Sequence, residues 1–204
     1  MFVATKCWPD EMGDPEAALR RSLQRLDLEY VDLYLIHWPA HFIFTDTPLH
    51  KIWPVFESLV DQGLAKSIGV SNFNLQLLGD LLTYARIKPV VNQIELNPFV
   101  VQKELVDFAL SRGVVSVAYC PIARGAGLAE NETLKALSDK YAATPTQVAL
   151  NWNLSRGVAV IPKSSNPERQ KQNLEITHFK LTEEEIEQVN KLDRNERICT
   201  GNSS

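Results

Sequence analysis

Six positions in this sequence place a hydrogen-bonding or ionisable side chain at the end of a short, apolar, β-branched run: Lys6, His37, the pair Ser71-Asn72, Gln93, Tyr119 and the pair Lys163-Ser164. Together they offer ammonium groups, an imidazole, hydroxyls, carboxamides and a phenol. Such groups can hold and orient a small polar ligand, and the imidazole and the amines can also hold or move a proton. Taken singly each has a bland explanation, because a lysine after a strand is usually solvated and a lone histidine is usually a satisfied core residue. It is their recurrence at one class of position that sets them apart.

The elements that must position them follow from hydrophobic periodicity. The runs 2–6, 31–37, 66–71, 89–95, 114–119 and 158–163 are mostly apolar on both faces, as expected of strands in a parallel sheet covered by helices. Between them lie amphipathic stretches. Asp14 is placed to cap a helix that begins at Pro15 and buries Ala18, Leu19, Leu23 and Leu26 at a spacing of three to four. Further helices are predicted over 49–62, 73–85, 101–112, 131–156 with a break near Thr144-Pro145, 167–173 and 182–192. Gly63 and Gly113 stand where helix C-termini are expected.

Strand and helix thus alternate six times, which predicts an α/β fold with right-handed crossovers. Two layouts compete, a doubly wound open sheet and a closed TIM (β/α)8 barrel. The first usually carries G-x-G-x-x-G after its opening strand. The sequence has no such motif, and Gly125-Ala126-Gly127, which lacks the third glycine, reads as a flexible loop. The barrel is favoured, and it places functional groups at the C-terminal ends of strands, where the six positions fall. About six βα units are visible, so the expectation is a single domain over 1–204 forming an incomplete barrel that lacks the first two units. The strands at 2–6 and 158–163 would each then present an edge.

Bulk properties narrow the function. With 204 residues, 45% of them hydrophobic, and a formal charge of -4, the chain can bury one substantial core. No basic cluster exceeds Arg20-Arg21, so neither nucleic acid nor an anionic membrane is an expected partner. No apolar stretch approaches a membrane span and no leader pattern opens the sequence, which predicts a cytoplasmic protein. Cys7, Cys120 and Cys199 form no CxxC pair and read as free thiols, with no metal site expected.

Four segments carry a family resemblance: Tyr30-Val31-Asp32-Leu33-Tyr34-Leu35-Ile36-His37-Trp38-Pro39, Gly69-Val70-Ser71-Asn72-Phe73, Asn92-Gln93-Ile94-Glu95-Leu96-Asn97-Pro98 and Ile161-Pro162-Lys163-Ser164-Ser165. In order and spacing they closely resemble signature motifs of the aldo-keto reductases. The short connection after Tyr119 is similar to the bacterial 2,5-diketo-D-gluconate reductase and methylglyoxal reductase branch. The resemblance implies NADPH-dependent reduction of aldehydes and ketones, a small carbonyl substrate and a chain that acts as a monomer.

It also implies roles for residues. A neutral His37 would orient the substrate carbonyl, and Lys6 would lower the pKa of a tyrosine acid. Ser71, Asn72 and Gln93 would bind the nicotinamide carboxamide, and Tyr119 would stack on its ring, with Cys120, Pro121 and Ile122 beside it. Lys163, Ser164, Ser165 and Arg169 resemble the 2′-phosphate site that distinguishes NADP from NAD, with Gln172 and Asn173 near the adenine. Trp8 and Trp38 match positions that line the substrate pocket.

Two departures accompany the match. Cys120 stands where many members have serine, and it reads as a buried, inert thiol. The family's catalytic tyrosine and its aspartate partner lie before the position of the strand at 2–6, and their motif does not occur in this sequence. The expectation is therefore a weak or inactive reductase, or alternatively a non-catalytic NADPH-binding protein. His41, His50 and His178 lie away from the strand ends and read as surface or packing residues.

Overall fold

Strand and helix alternate along the chain as the periodicity predicts. The computed structural model describes residues 1–39 and 47–198, so His41 and Cys199 lie outside the described residues. The strands are β1 (Ala4–Cys7), β2 (Val31–Ile36), β3 (Ala65–Ser71), β4 (Val91–Glu95), β5 (Val115–Tyr119) and β6 (Ala159–Val160), and they are ordered in the sheet as in the chain. The pairs β1-β2, β2-β3, β3-β4 and β5-β6 are parallel. The helices are α1 (Pro15–Leu26), α2 (Leu49–Asp61), α3 (Leu75–Tyr84), α4 (Lys103–Ser111), α5 (Glu132–Tyr141), α6 (Pro145–Ser155), α7 (Pro167–Leu174) and α8 (Glu183–Asn190).

The caps explain the boundaries. Asp14 accepts from the Ala17 amide at 3.0 Å, which starts α1 with Pro15 at its first position. The predicted break in 131–156 occurs where Ala142 turns left-handed (φ 49°) and Thr144 forms a capping box with Gln147 ahead of Pro145. The strand expected over 158–163 is shorter, Ala159–Val160 alone. Ile161 still donates to the Ala118 carbonyl at 3.2 Å, but Pro162 has no N–H with which to continue the ladder.

The chain divides into two compact units. The first comprises Met1–Gln93 with Ser111–Val114, and the second Ile94–Leu110 with Val115–Ser204. In the first, Leu19, Leu35, Trp53, Phe56, Leu59 and Ile68 are fully buried. Tyr34 stacks on Phe56 with ring centroids 4.8 Å apart, and the Trp53 indole donates to the Ile87 carbonyl at 3.0 Å, which satisfies its one polar atom. Gly69 in β3 has no room for a side chain, because a Cβ there would stand 2.8 Å from both Leu35 Cδ2 and the Val91 carbonyl oxygen.

The second unit has its own core, built around Phe99, Leu134, Leu137, Val148, Trp152 and Val189. Asn151 and Gln147 on α6 hold the last turn of α7 and the segment after it by donating to backbone carbonyls, Asn151 to Ile176 and Phe179 and Gln147 to Gln172 and Glu175. Among the described residues, no helix is long and apolar enough to cross a membrane.

Candidate functional site

In the first unit the sequence-predicted residues meet at the C-terminal ends of β1 to β4. Lys6 lies in β1 opposite Leu35, and Ser71 closes β3 opposite Gln93. His37 follows β2 directly, and its amide donates to the Cys7 carbonyl at 3.0 Å. Asn72 then turns left-handed (φ 63°), a conformation that asparagine tolerates better than most residues. That turn lets its amide donate to the Gln93 carbonyl at 2.9 Å, while its Nδ2 donates to the His37 carbonyl at 2.9 Å and to Ser71 Oγ at 3.1 Å. Ser71 Oγ donates to the same Gln93 carbonyl at 2.8 Å. One short network therefore ties together the ends of β2, β3 and β4.

The electrostatics of this cluster favour a neutral imidazole. Burial, reinforced by the nearby Lys6 ammonium, pushes the His37 pKa down to about 4, so the ring carries no charge at neutral pH. Burial also lowers the Lys6 pKa. The Trp8 ring meets the His37 ring edge-on at 4.3 Å, and Trp38 follows it, half-buried. Gln93 Oε1 is buried without a hydrogen-bond partner. Cys7 is fully enclosed, and its thiol is pushed up to about 11, chiefly by burial. His50 and His178 are exposed.

The second unit carries a cleft of about 680 Å³. Cys120, Pro121 and Ile122 line it from the segment after β5, Lys163 and Ser164 from the segment after β6, and Arg169, Gln172 and Asn173 from α7. All eight were predicted from sequence. Ser165 is exposed beside them, and Tyr119 is half-buried at the end of β5 without lining the cleft. Cys120 is half-buried rather than enclosed, because its left-handed backbone (φ 47°) leaves it at the cleft wall. The start of α7 is built locally, with Asn166 Oδ1 accepting from the Arg169 amide at 3.1 Å and Ser164 Oγ accepting from the Asn166 amide at 3.1 Å.

Sequence reasoning missed Arg124, Gly125, Thr144, Thr146 and Ile161, which complete the lining. Thr144 and Thr146 could have been found from the capping box that opens α6. Arg124 had no such signal, because its place depends on a left-handed run through Ala123 (φ 47°), Arg124 (φ 52°) and Gly125 (φ 84°). The stretch read as a flexible loop begins within a 3-10 turn, Ala123–Gly125. The cleft lining includes three cationic side chains, Arg124, Lys163 and Arg169, and no carboxylate.

Parallel βα units with polar side chains gathered at strand ends define an α/β-barrel class of enzyme. Residues 1–194 match the aldo/keto reductase family, and the chain belongs to that family. It is 41% identical over 227 aligned positions to aldo-keto reductase family 1 member A1-A of Danio rerio, covering 97% of this chain and 69% of that protein. It is 39% identical over 203 positions to a methylglyoxal reductase of Yersinia pestis, covering 97% of this chain and 71% of the relative. A solved structure of an aldo-keto reductase complexed with NADPH superposes with a TM-score of 0.90 at 35% identity, covering 97% of this chain and 65% of that one. The chain thus spans about two thirds of the length of these relatives. The Danio alignment is longer than the 204 residues present, so that relative carries inserted segments. The Yersinia alignment does not need them.

Proposed function

We propose that this chain binds NADPH and orients small aldehydes or ketones for reduction in the cytoplasm, as a single monomeric reductase domain. The observation that carries the reading is the cationic, carboxylate-free cleft, lined by all but one of the residues the sequence assigned to the phosphate and adenine end of the cofactor. The residues present fit the group. The orphaned Gln93 Oε1 is an acceptor waiting for an N–H, as a carboxamide would supply, and Lys163, Ser164 and Arg169 suit a dianionic phosphate. On this reading Ser71, Asn72 and Gln93 hold the nicotinamide carboxamide, Tyr119 lies against the ring, and Lys163, Ser164, Ser165 and Arg169 hold the 2′-phosphate, with Gln172 and Asn173 near the adenine. Bound NADPH supplies the hydride.

The chain's own residues then orient the substrate. A neutral His37 donates a hydrogen bond to the carbonyl oxygen, and the rings of Trp8 and Trp38 enclose the substrate. Among the described residues, no tyrosine of the first unit takes the place of a general acid beside Lys6. Tyr34 is buried, with its hydroxyl donating to the Pro15 carbonyl at 3.0 Å, Tyr30 lies under the Lys66 ammonium, and Tyr84 ends α3. Without a positioned acid, turnover is about 10² to 10⁴ below that of a reductase that has one. The same observation favours a second reading, a protein that binds NADPH without turning over carbonyls.

Fluorescence titration with NADPH, followed by NADPH oxidation with methylglyoxal, tests both. Binding with slow turnover is expected, and binding with none selects the second reading. Turnover at rates usual for reductases would refute the account of the missing acid, and failure to bind NADPH would refute both readings.

A further inference from the structure

Three side chains at the ends of β1 and β2 share one face of the sheet. Lys6 stands opposite Leu35 in the parallel pair and His37 follows Leu35 by two residues, so the strand alternation sends Lys6 and His37 to the same side. Trp8 follows Lys6 by two residues with an extended backbone (φ -74°, ψ 153°), and its ring reaches the His37 ring at 4.3 Å. Lys6 is half-buried in this group. Among the described residues no carboxylate pairs with its ammonium. Two carboxylates of neighbouring segments are engaged elsewhere, Asp32 with the Val3 amide at 2.7 Å and Glu11 with Arg21 at 2.8 Å.

We propose that Lys6 is a nucleophile that captures small aldehydes as a reversible imine at the carbonyl site of the first unit. The proposal rests on the carbonyl-orienting role given to His37 above and adds a covalent fate for the bound aldehyde. Burial with no anion beside it disfavours the ammonium and lowers the Lys6 pKa, so more of this side chain is free amine than in an exposed lysine. A desolvated amine is the form of lysine that attacks carbonyls. Its nitrogen lone pair adds to the carbonyl carbon while the C=O π pair moves to oxygen, which the His37 N–H steadies. A proton passes from nitrogen to that oxygen and gives a carbinolamine. Loss of the second N–H proton together with the hydroxyl, as water, leaves the C=N bond, and neither an oxidant nor a reductant is consumed. Water reverses the sequence and releases the aldehyde.

The test is trapping of the full chain at neutral pH with butanal and sodium cyanoborohydride, followed by peptide mapping by mass spectrometry. Reduction fixes an imine as a stable N-butyl group on the lysine that formed it. Each pH unit by which an amine's pKa falls raises its neutral fraction about tenfold, so Lys6 should be butylated about tenfold faster than the exposed Lys51, Lys88 and Lys180. Lys6→Arg keeps the charge but cannot condense, and it should lose the fast phase alone. Omitting the cyanoborohydride should leave no lasting adduct on Lys6. Butylation of Lys6 no faster than that of the exposed lysines, or a fast phase that survives Lys6→Arg, overturns the proposal; the parent measurement decides this even if the variant does not fold. NADPH titration of the same parent sample separates the two readings. NADPH binding with a slow Lys6 removes the imine and leaves the reductase reading, whereas fast Lys6 capture without NADPH binding does the reverse.

Discussion

Replacing Gln93 by methionine should make the free chain more stable and its cofactor binding weaker. The Gln93 side chain is buried, and its Oε1 has lost water without gaining a partner. An unsatisfied buried acceptor costs roughly 1–3 kcal/mol. Methionine has nearly the same length and shape and no oxygen to leave stranded, and it adapts to irregular gaps. The backbone carbonyl of residue 93, which accepts from Asn72 and Ser71, is untouched by the change. After allowing for imperfect repacking, a net gain of about 1 kcal/mol is expected, which raises Tm by about 2–4 °C in a chain of this size. The same change removes an acceptor for the nicotinamide carboxamide, so the Kd for NADPH should rise about tenfold, equivalent to about 1.4 kcal/mol. Thermal melting followed by circular dichroism reads the first effect, and NADPH fluorescence the second. A lower Tm together with unchanged affinity would refute the reasoning, because Oε1 would then be stabilising the fold rather than awaiting a ligand.

Three further changes probe the supports of the site. His37 should titrate near pH 4 by NMR; because that lies below its unfolded value of about 6.5, its contribution to stability is complete above pH 6.5 and declines as pH falls through that window, and a midpoint near 6.5 would show the ring to be solvated. Glu185→Gln should cost about 1–2 kcal/mol in urea unfolding at pH 7, because the carboxylate accepts from Lys140 Nζ at 2.7 Å, Tyr141 Oη at 2.7 Å and the Thr182 amide at 2.8 Å. Burial pushes the Glu185 pKa up, but these hydrogen bonds outweigh it and hold the group at about 2, so the difference between variant and parent should be full above about pH 4.5 and vanish as pH falls through 2; a pH-independent difference would discredit the network. Gly69→Ala should destabilise by about 1–3 kcal/mol, since the Val91 carbonyl oxygen 2.8 Å from the new Cβ is backbone and cannot step aside, and an unshifted unfolding midpoint would mean that β3 and β4 separate easily.

Much of the scaffold was legible because each element announced itself locally. Asp14-Pro15 and Thr144-Pro145 fixed two helix starts, and the apolar runs fixed six strands to within a residue or two, save at Pro162. Lys6, His37, Ser71, Asn72 and Gln93 were legible for a related reason. A parallel strand delivers whatever follows it to one end of the sheet, so chain position alone places those side chains together. Arg124 was not legible, because it sits several residues past the strand end, and its direction depends on a turn that no residue in Ala123-Arg124-Gly125 except glycine would be expected to adopt.

The left-handed residues help to explain why the site is where it is. Asp27 and Ala142 end α1 and α5, where such a conformation is a routine way to stop a helix. Asn72 and Cys120 have no helix to stop and directly follow β3 and β5, while Ala123 and Arg124 lie in the 3-10 turn a few residues past β5. Each non-glycine residue held there costs roughly 1–3 kcal/mol that packing elsewhere must offset. An extended backbone at these points would carry the chain past the strand ends. The left-handed turn reverses it at once, so that Asn72 reaches back to the His37 carbonyl, and Cys120, Pro121, Ile122 and Arg124 stay at the cleft wall. In the first unit the left-handed Asn72 bonds to the backbone of Gln93, whose Oε1 is buried without a partner, and both residues are among those proposed to hold the nicotinamide carboxamide, so the local rules fail where a preorganised binding group is needed.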